Sequence, residues 1–163
     1  MRAELYDYRQ AGSYFVTVVV QNRRQLFGTI IDGLPRLNPA GLAIEHYWRE
    51  LEKKYPQVQL DDYVIMPNHI HGILRIHPKD ALNSYPETLG DMMKWFKSMT
   101  TNAYIRGVTN HGWPRYDVRL WQQGYWDHII RNDADLSRVQ EYIAANPSQW
   151  EMDPDNESSD KAW

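Results

Sequence analysis

Residues 63–74 read Tyr-Val-Ile-Met-Pro-Asn-His-Ile-His-Gly-Ile-Leu and contain two runs rich in β-branched and aliphatic side chains. Such runs are typical of strands, and the Pro67-Asn68 pair between them is typical of a tight turn. The stretch therefore predicts two strands, residues 58–66 and 70–76, that lie side by side and run antiparallel.

The second run holds two histidines, His69 and His71, separated by Ile70. Side chains alternate between the faces of a strand, so the two imidazoles share one face. Imidazole is the commonest metal ligand, and the pair predicts a clamp for a divalent metal. Two partly exposed strand histidines without a site are an equally good interpretation of this stretch alone.

The residues on either side of this stretch predict further strands and helices. Residues 13–21 are β-branched and aromatic, which indicates a first strand, and residues 28–39 read as a loop. Asn38 and Pro39 are typical of a helix start, so residues 39–55 are interpreted as the first helix, ended by Pro56. Residues 78–86 are interpreted as a loop rich in Pro, Asn and Ser.

The C-terminal half alternates helices with short strands. Its predicted elements are a helix at 87–106 with an apolar stripe, a loop at 107–114, a short edge strand at 118–123, a further strand at 126–130 and a last helix at 133–146 that ends at Pro147. With the two short strands at 118–123 and 126–130 counted together, the order strand-helix-strand-strand-helix-strand-helix predicts an α+β fold with helices packed on an antiparallel sheet.

The composition indicates one domain, residues 1–150, followed by an acidic tail at 151–163 that we expect to be disordered. No apolar run reaches the ~18 residues that span a bilayer, and the N-terminus lacks an apolar secretory segment, so we expect a cytoplasmic protein and no membrane partner. The chain has no cysteine. Any metal must therefore be bound by nitrogen and oxygen atoms.

The net charge of −3 and the pI near 6.0 are unusual for a protein that binds polyanions. Five of the acids lie in residues 151–163, which leaves 17 basic and 16 acidic residues before the tail. Binding of a nucleic acid would therefore depend on local basic clusters and on stacking. The seven tryptophans and eleven tyrosines suit stacking on bases, although most aromatic side chains serve the core.

The last helix supplies two more polar groups, because Tyr142 and Asn146 are four residues apart and share a helical face. His69, His71 and Asn146 would make a three-ligand site with open positions, which suits Mg²⁺ or Mn²⁺. Tyr142 could then be a covalent nucleophile. The alternative is that Tyr142 belongs to the core and Asn146 ends the helix, in which case water or an acid, Asp127 or Glu141, would complete the metal ligands.

A tyrosine nucleophile must be activated, because phenol has an unperturbed pKa of ~10 and is mostly protonated at neutral pH. A metal at the histidines would polarise a phosphate and lower the cost of deprotonating a nearby tyrosine. Attack would leave a phosphotyrosine link that conserves the phosphodiester energy, so the strand could be rejoined without an external energy source.

Three motifs in this order resemble the HUH single-tyrosine transposases, and in particular the transposases associated with repetitive extragenic palindromes (REP). The motifs are residues 63–72, residues 121–131 (Trp-Gln-Gln-Gly-Tyr-Trp-Asp-His-Ile-Ile-Arg) and residues 141–147, which contain Tyr142 and Asn146. The resemblance extends from about residue 12 to residue 150 and covers most of the chain.

The resemblance implies a ferredoxin-like catalytic domain that cuts and rejoins single-stranded DNA near hairpins through a 5′-phosphotyrosine. It implies that Tyr142 is the nucleophile and that His69, His71 and Asn146 bind Mg²⁺ or Mn²⁺. It also implies that Lys97 and Arg131 contact backbone phosphates, that Arg23 and Arg24 hold the DNA stem, and that His128 is structural.

Further implications concern location and assembly. A bacterial protein of this kind would be associated with the nucleoid, and a homodimer is one assembly that the resemblance leaves open. Two other functions stay open as well. A domesticated module would bind hairpin DNA without cleaving it, and a metal hydrolase would use the same histidines to activate water without Tyr142.

Overall fold

A computed structural model of the protein describes residues 12–77, 87–153 and 156. Its main sheet contains the strands β1 (Gly12–Val19), β4 (Val58–Met66), β5 (His69–Ile76) and β6 (Trp126–Ile130), and a separate hairpin contains β2 (Gly28–Ile31) and β3 (Leu34–Leu37). The helices are α1 (Pro39–Lys54), α2 (Leu89–His111) and α3 (Asp133–Ala145), and short 3-10 helices span Gln21–Arg23 and Pro147–Met152.

The strands of the main sheet lie in the order β4-β5-β1-β6, and every neighbouring pair is antiparallel. β1 and β4 therefore run parallel to each other with β5 inserted between them, which is the split βαβ arrangement of ferredoxin-like folds. The predicted α+β fold with a ferredoxin-like antiparallel sheet is confirmed.

Helices cover both faces of the sheet. On one face, Trp48 of α1 and Phe96 of α2 pack with Val16 and Ile70 in the larger core. On the other face, Ile143 of α3 joins a smaller core that includes strand residues of β4 and β5. Phe96 and Ile70 are completely buried, and burial of a side chain of this size contributes about 1.5–3 kcal/mol. The histidines of β5 lie on the face that α3 covers.

Local side chains set where the helices begin. Oδ1 of Asn38 accepts a hydrogen bond from the Gly41 amide at 2.8 Å, and Thr88 forms a reciprocal capping box with Asp91. α2 is longer than predicted. It continues through Gly107 to His111 and ends at Gly112, whose φ of 69° is the left-handed conformation of a C-terminal cap.

The predicted loop at residues 28–39 is wrong, because the chain forms the hairpin of β2 and β3 there. The turn between the strands is Asp32-Gly33, with φ angles of 52° and 73°. Two successive residues with positive φ match the twist of paired strands, which is why Asp-Gly is a strong hairpin signal.

The predicted edge strand at residues 118–123 is also wrong. The backbone forms a single bridge there, between Val20 and Trp121. Val118 has a φ of 62°, which turns the chain away from an extended path. Leu120 and Trp121 are apolar because they are buried in the larger core, not because they belong to a strand.

The expected loop at 78–86 lies outside the described residues, as does most of the expected tail. The last 3-10 helix continues past the expected domain boundary at residue 150 to Met152, and Trp150 belongs to the smaller core. Among the residues that the structure describes, no helix is both long and apolar enough to cross a membrane.

Candidate functional site

The register of β5 places both histidines on the face that α3 covers. His69 lies opposite Val19 of β1, and His71 lies opposite Thr17. The two rings have centroids 4.5 Å apart, and the residues are 0% and 4% exposed. The shared face is confirmed, but the histidines are buried rather than partly exposed.

Hydrogen bonds orient both imidazole rings. Nδ1 of His69 donates to Oδ1 of Asn68 at 2.7 Å, and Asn68 is itself held by a bond from Nδ2 to the Arg23 carbonyl oxygen at 3.1 Å. Nδ1 of His71 lies 2.7 Å from Oγ1 of Thr17. In each histidine the Nδ1 atom is therefore occupied, and Nε2 is the nitrogen left to bind a metal.

Burial determines the charge of the second histidine. It lowers the pKa of His71 well below its ordinary value, and the neighbouring His69 lowers this pKa further. His71 is therefore neutral near pH 7, which is the form of imidazole that binds metals. Its Nε2 atom is buried and has no hydrogen-bond partner among the described residues.

Tyr142 lies next to this pair on the exposed face of α3. Its ring centroid is 5.3 Å from that of His71, with an angle of 70° between the planes, and 6.0 Å from that of Phe15. Tyr142 is 48% exposed. The structure thus combines buried imidazoles with a neighbouring tyrosine that a large substrate could reach from solvent.

Asn146 follows Tyr142 by one helical turn and is buried. It lies between Ile143 and Trp150, which both pack on the histidine face of the sheet. Its Nδ2 atom donates to Oδ2 of Asp153 at 3.4 Å, whereas its Oδ1 atom is buried without a hydrogen-bond partner among the described residues. A buried carbonyl without a partner costs about 1–3 kcal/mol, so Oδ1 is a natural metal ligand.

The donor set fits a metal that prefers nitrogen and oxygen ligands, because it would consist of two imidazoles and one amide oxygen. Within the described residues, no three His, Asp or Glu side chains are grouped to hold a metal. Of the two acids that could replace Asn146, Asp127 pairs with Val16 and so lies on the opposite face of the sheet. Glu141 is exposed on α3.

Lys97 holds a loop in place. Its ammonium group donates to the carbonyl oxygen of Gln122 at 2.8 Å and to that of Gly124. Burial lowers the pKa of Lys97 to about 8. Its predicted contact with phosphate would therefore use the third hydrogen of a group that already makes two hydrogen bonds.

The predicted arginines differ in their surroundings. Arg24 donates to the carbonyl oxygen of Arg115, and its guanidinium lies 3.6 Å from the carboxylate of Asp117. Arg23 has a φ of 53°, and its carbonyl oxygen accepts the bond from Asn68. Arg131 is exposed at the end of β6.

His128 has the structural role that the sequence predicts. Its Nε2 atom lies 2.8 Å from Oδ2 of Asp135. Asp135 also bonds Arg138 at 3.0 Å and accepts the Arg131 amide at 3.3 Å. The hydrogen bond from Arg138, followed by that from His128, lowers the pKa of Asp135. These contacts join the end of β6 to the first turn of α3.

Sequence reasoning missed Thr17 and Asn68, the residues that orient the imidazoles, and Trp150, whose ring centroid is 6.3 Å from that of His69. The position of Asn68 directly before His69 was a usable signal. Thr17 is 54 residues from His71, so only the pairing register reveals it.

Comparisons with known proteins identify a family for this chain. Residues 10–146 match the family described as transposase IS200 like. An uncharacterized protein of Haemophilus influenzae is 34% identical over 94% of this chain and 89% of its own length. The REP-associated tyrosine transposase of Escherichia coli K12 is 26% identical over 86% of this chain and 68% of its own length.

The fold has a counterpart among solved structures. The structure of a REP-associated tyrosine transposase bound to a REP hairpin superposes with a TM-score of 0.64 at 22% identity, covering 91% of this chain and 74% of that one. The family match spans most of the chain and includes both histidines, Tyr142 and Asn146. The chain belongs to the IS200-like transposase family.

Proposed function

We propose that this protein is a metal-dependent endonuclease and strand transferase for single-stranded DNA at hairpin or palindromic sites. Tyr142 is the nucleophile, and a 5′-phosphotyrosine is the intermediate. The observation that carries the proposal is the adjacency of Tyr142 to His71, with ring centroids 5.3 Å apart, on the sheet face where His69 also lies.

The proposed step exchanges one ester bond for another. The Tyr142 oxygen attacks the phosphorus, the tyrosine O–P bond forms, and the bond from phosphorus to the 3′ oxygen breaks. The tyrosine proton passes to solvent, and the departing strand takes up a proton as a free 3′-hydroxyl. Attack by a second 3′-hydroxyl on the phosphotyrosine reverses these changes and joins the strands.

His69, His71 and Asn146 would hold Mg²⁺ or Mn²⁺. The metal would supply positive charge that stabilises the phosphate during attack. The residues of the protein position the reacting groups. Asn68 and Thr17 hold the imidazoles in one orientation, burial keeps His71 neutral, and α3 holds Tyr142 beside it. Positioning of this kind raises rates because the reacting groups need not be brought together from solution.

The family match and the hairpin bound by the related structure support DNA as the partner. Because the body of the chain is nearly neutral, we propose that a few local cations contact the backbone. Lys97 and Arg131 would contact phosphates of the single strand, and Arg23 and Arg24 would contact the stem. We also propose that the protein acts at the bacterial nucleoid and that a homodimer is compatible with this site.

A covalent-adduct assay tests the proposal. The protein is incubated with hairpin DNA that carries a single-stranded flank and a label on the strand beyond the cleavage point, with Mg²⁺ or Mn²⁺, and is then denatured. We expect labelled DNA to remain attached to the wild-type protein and to be lost in Tyr142→Phe. Tyr47→Phe is the matched control, because Tyr47 lies on α1 against the opposite face. His71→Ala should also abolish the adduct.

Other outcomes identify the alternatives. Cleavage that persists in Tyr142→Phe would exclude the tyrosine nucleophile and favour a hydrolase that activates water. Hairpin binding with neither cleavage nor adduct in either metal would favour a domesticated binding module.

A further inference from the structure

Trp126 is unusual among the tryptophans that the structure describes. It is 59% exposed, whereas Trp48, Trp121 and Trp150 are 0%, 4% and 7% exposed. Among the described residues no other tryptophan belongs to the exposed class. Exposure of so large a ring is costly in water, so its surface is a candidate for contact with a ligand.

The sheet register connects Trp126 to the candidate site. Trp126 lies opposite Thr17 on the neighbouring strand, and Thr17 lies opposite His71 and is hydrogen-bonded to it. Residues directly opposite each other share a sheet face. Trp126 and His71 are therefore on the same face, two strand spacings or about 10 Å apart.

A cleft of about 240 Å³ lies beside Trp126, and Thr17, which is hydrogen-bonded to His71, is one of its lining residues. Thr17 and Val19 of β1 and residues 122–126 line it, and none of the lining residues carries a charge. The volume is below the ~300–1,000 Å³ of pockets for drug-sized ligands, so the cleft suits a single planar group. The structure describes no hydrogen bond from the side-chain amide of Gln122 or Gln123 to another described residue. Both amides can therefore serve an incoming ligand.

The wall of the cleft is held in place before any ligand binds. Lys97 bonds the carbonyl oxygens of Gln122 and Gly124, and the Gln122 amide donates to the Val19 carbonyl oxygen at 2.8 Å. Gly124 has a φ of 73°, which allows the sharp turn that brings the chain back to Trp126. A wall ordered in advance binds with a smaller entropic cost.

We propose that this cleft binds one unpaired base of the single strand whose phosphate lies at Tyr142. The base stacks on the ring of Trp126, and the amides of Gln122 and Gln123 bond its polar edge. The inference rests on the proposed function and adds a base-recognition position next to the cleavage point. Aromatic stacking suits single strands because every base has a π-face.

The test is equilibrium binding of a hairpin with a single-stranded flank, measured in EDTA so that no cleavage occurs. Trp126→Ala should weaken binding about 5- to 150-fold, the range expected for loss of one stacked base. Trp126→Phe should retain most of the affinity, because it keeps an aromatic ring. Leu42→Ala is the control, since Leu42 is 55% exposed on α1, which covers the other face of the sheet.

A second arm locates the base. An abasic position is moved along the single-stranded flank, and one position should weaken binding to the wild type by a similar factor. The same position should have no further effect in Trp126→Ala, because both changes remove one contact. DNA should also quench part of the tryptophan fluorescence of the wild type. This part of the quenching should be absent in Trp126→Phe.

The outcomes separate this inference from the proposed function. The stacking site would be overturned if Trp126→Ala bound DNA as tightly as the wild type. It would also be overturned if the affinity losses from Trp126→Ala and from the abasic position multiplied when the two were combined. Neither result would affect the Tyr142 adduct, which is measured separately. Failure of the wild type to bind any single-stranded flank would overturn both.

Discussion

Oγ1 of Thr17 lies 2.7 Å from Nδ1 of His71, although the two residues are 54 positions apart in the chain. The bond crosses from β1 to β5 and fixes the orientation of the buried ring. The ring in turn contacts Tyr142. One hydroxyl on a neighbouring strand therefore controls how the imidazole faces both the candidate metal position and the candidate nucleophile.

Thr17→Val is expected to weaken Mn²⁺ binding about 10- to 100-fold, the usual effect of removing a group that orients a metal ligand. The replacement keeps the branched shape that a strand favours and removes only the hydroxyl. Calorimetric titration with Mn²⁺ measures the effect, and Thr17→Ser should bind nearly as well as the wild type. Equal affinities of the Val and wild-type proteins would show that the hydroxyl does not support a metal ligand.

Asn146→Leu is expected to abolish metal binding while leaving the free energy of unfolding of the metal-free protein unchanged or slightly higher. The reason is that Oδ1 is buried without a partner among the described residues, so its removal relieves a cost. Urea denaturation in EDTA and Mn²⁺ titration measure the two quantities. A large loss of stability with intact metal binding would instead mean that Asn146 only ends the helix.

Arg131→Gln is expected to weaken DNA binding at low salt and to reduce the slope of log affinity against log salt by about 0.7, the value for one phosphate of a single strand. Affinity measured at several salt concentrations gives the slope. Arg49→Gln is the control. Arg49 lies on α1 and bonds the Tyr63 hydroxyl at 2.7 Å, so its removal should leave the slope unchanged.

Raising the pH from 8 to 9.5 is expected to stabilise the wild type relative to Lys97→Met. Burial lowers the pKa of Lys97 from 10.5 to about 8 in the folded protein. Between these values the unfolded chain binds one more proton than the folded one, so the free energy of unfolding rises with pH. Below pH 8 both states are protonated and the difference should be constant.

Urea denaturation of both proteins across this range measures the effect. The partial exposure of Lys97 to solvent limits its size. Ionisation of the tyrosines affects both proteins equally and cancels in the comparison. A difference that stays constant from pH 7 to pH 9.5 would contradict the lowered pKa.

Gly72→Ala is expected to destabilise the fold by about 1–3 kcal/mol through overpacking. An added Cβ would lie 2.3 Å from Cζ2 of Trp48, and Trp48 is completely buried under the sheet. The free energy of unfolding, followed by circular dichroism, measures the loss. The double variant Gly72→Ala, Trp48→Phe should be more stable than the sum of the single effects predicts, because the smaller ring makes room.

Sequence patterns predicted the structure correctly where neighbouring residues along the chain decide it. Alternation along β5 predicted that His69 and His71 share a face, and helical spacing predicted that Tyr142 and Asn146 share one. The stops at Pro56 and Pro147 were visible because proline cannot continue a helix. The β2–β3 hairpin was missed although its Asp32-Gly33 turn was readable, and α2 was ended too early because Gly107 is tolerated within it.

The order of strands and helices along the sequence was enough to predict the fold class. The pair of imidazoles and the spacing of Tyr142 and Asn146 were predictable because each depends on the period of a single strand or helix. Three relations became visible in the folded protein: α3 covers the histidine face, Thr17 orients His71, and Trp126 borders the same face. These relations depend on register and on packing between distant segments. Distant segments are brought together by the burial of shared apolar surface. The periodicity of a single strand or helix does not indicate which segment it packs against.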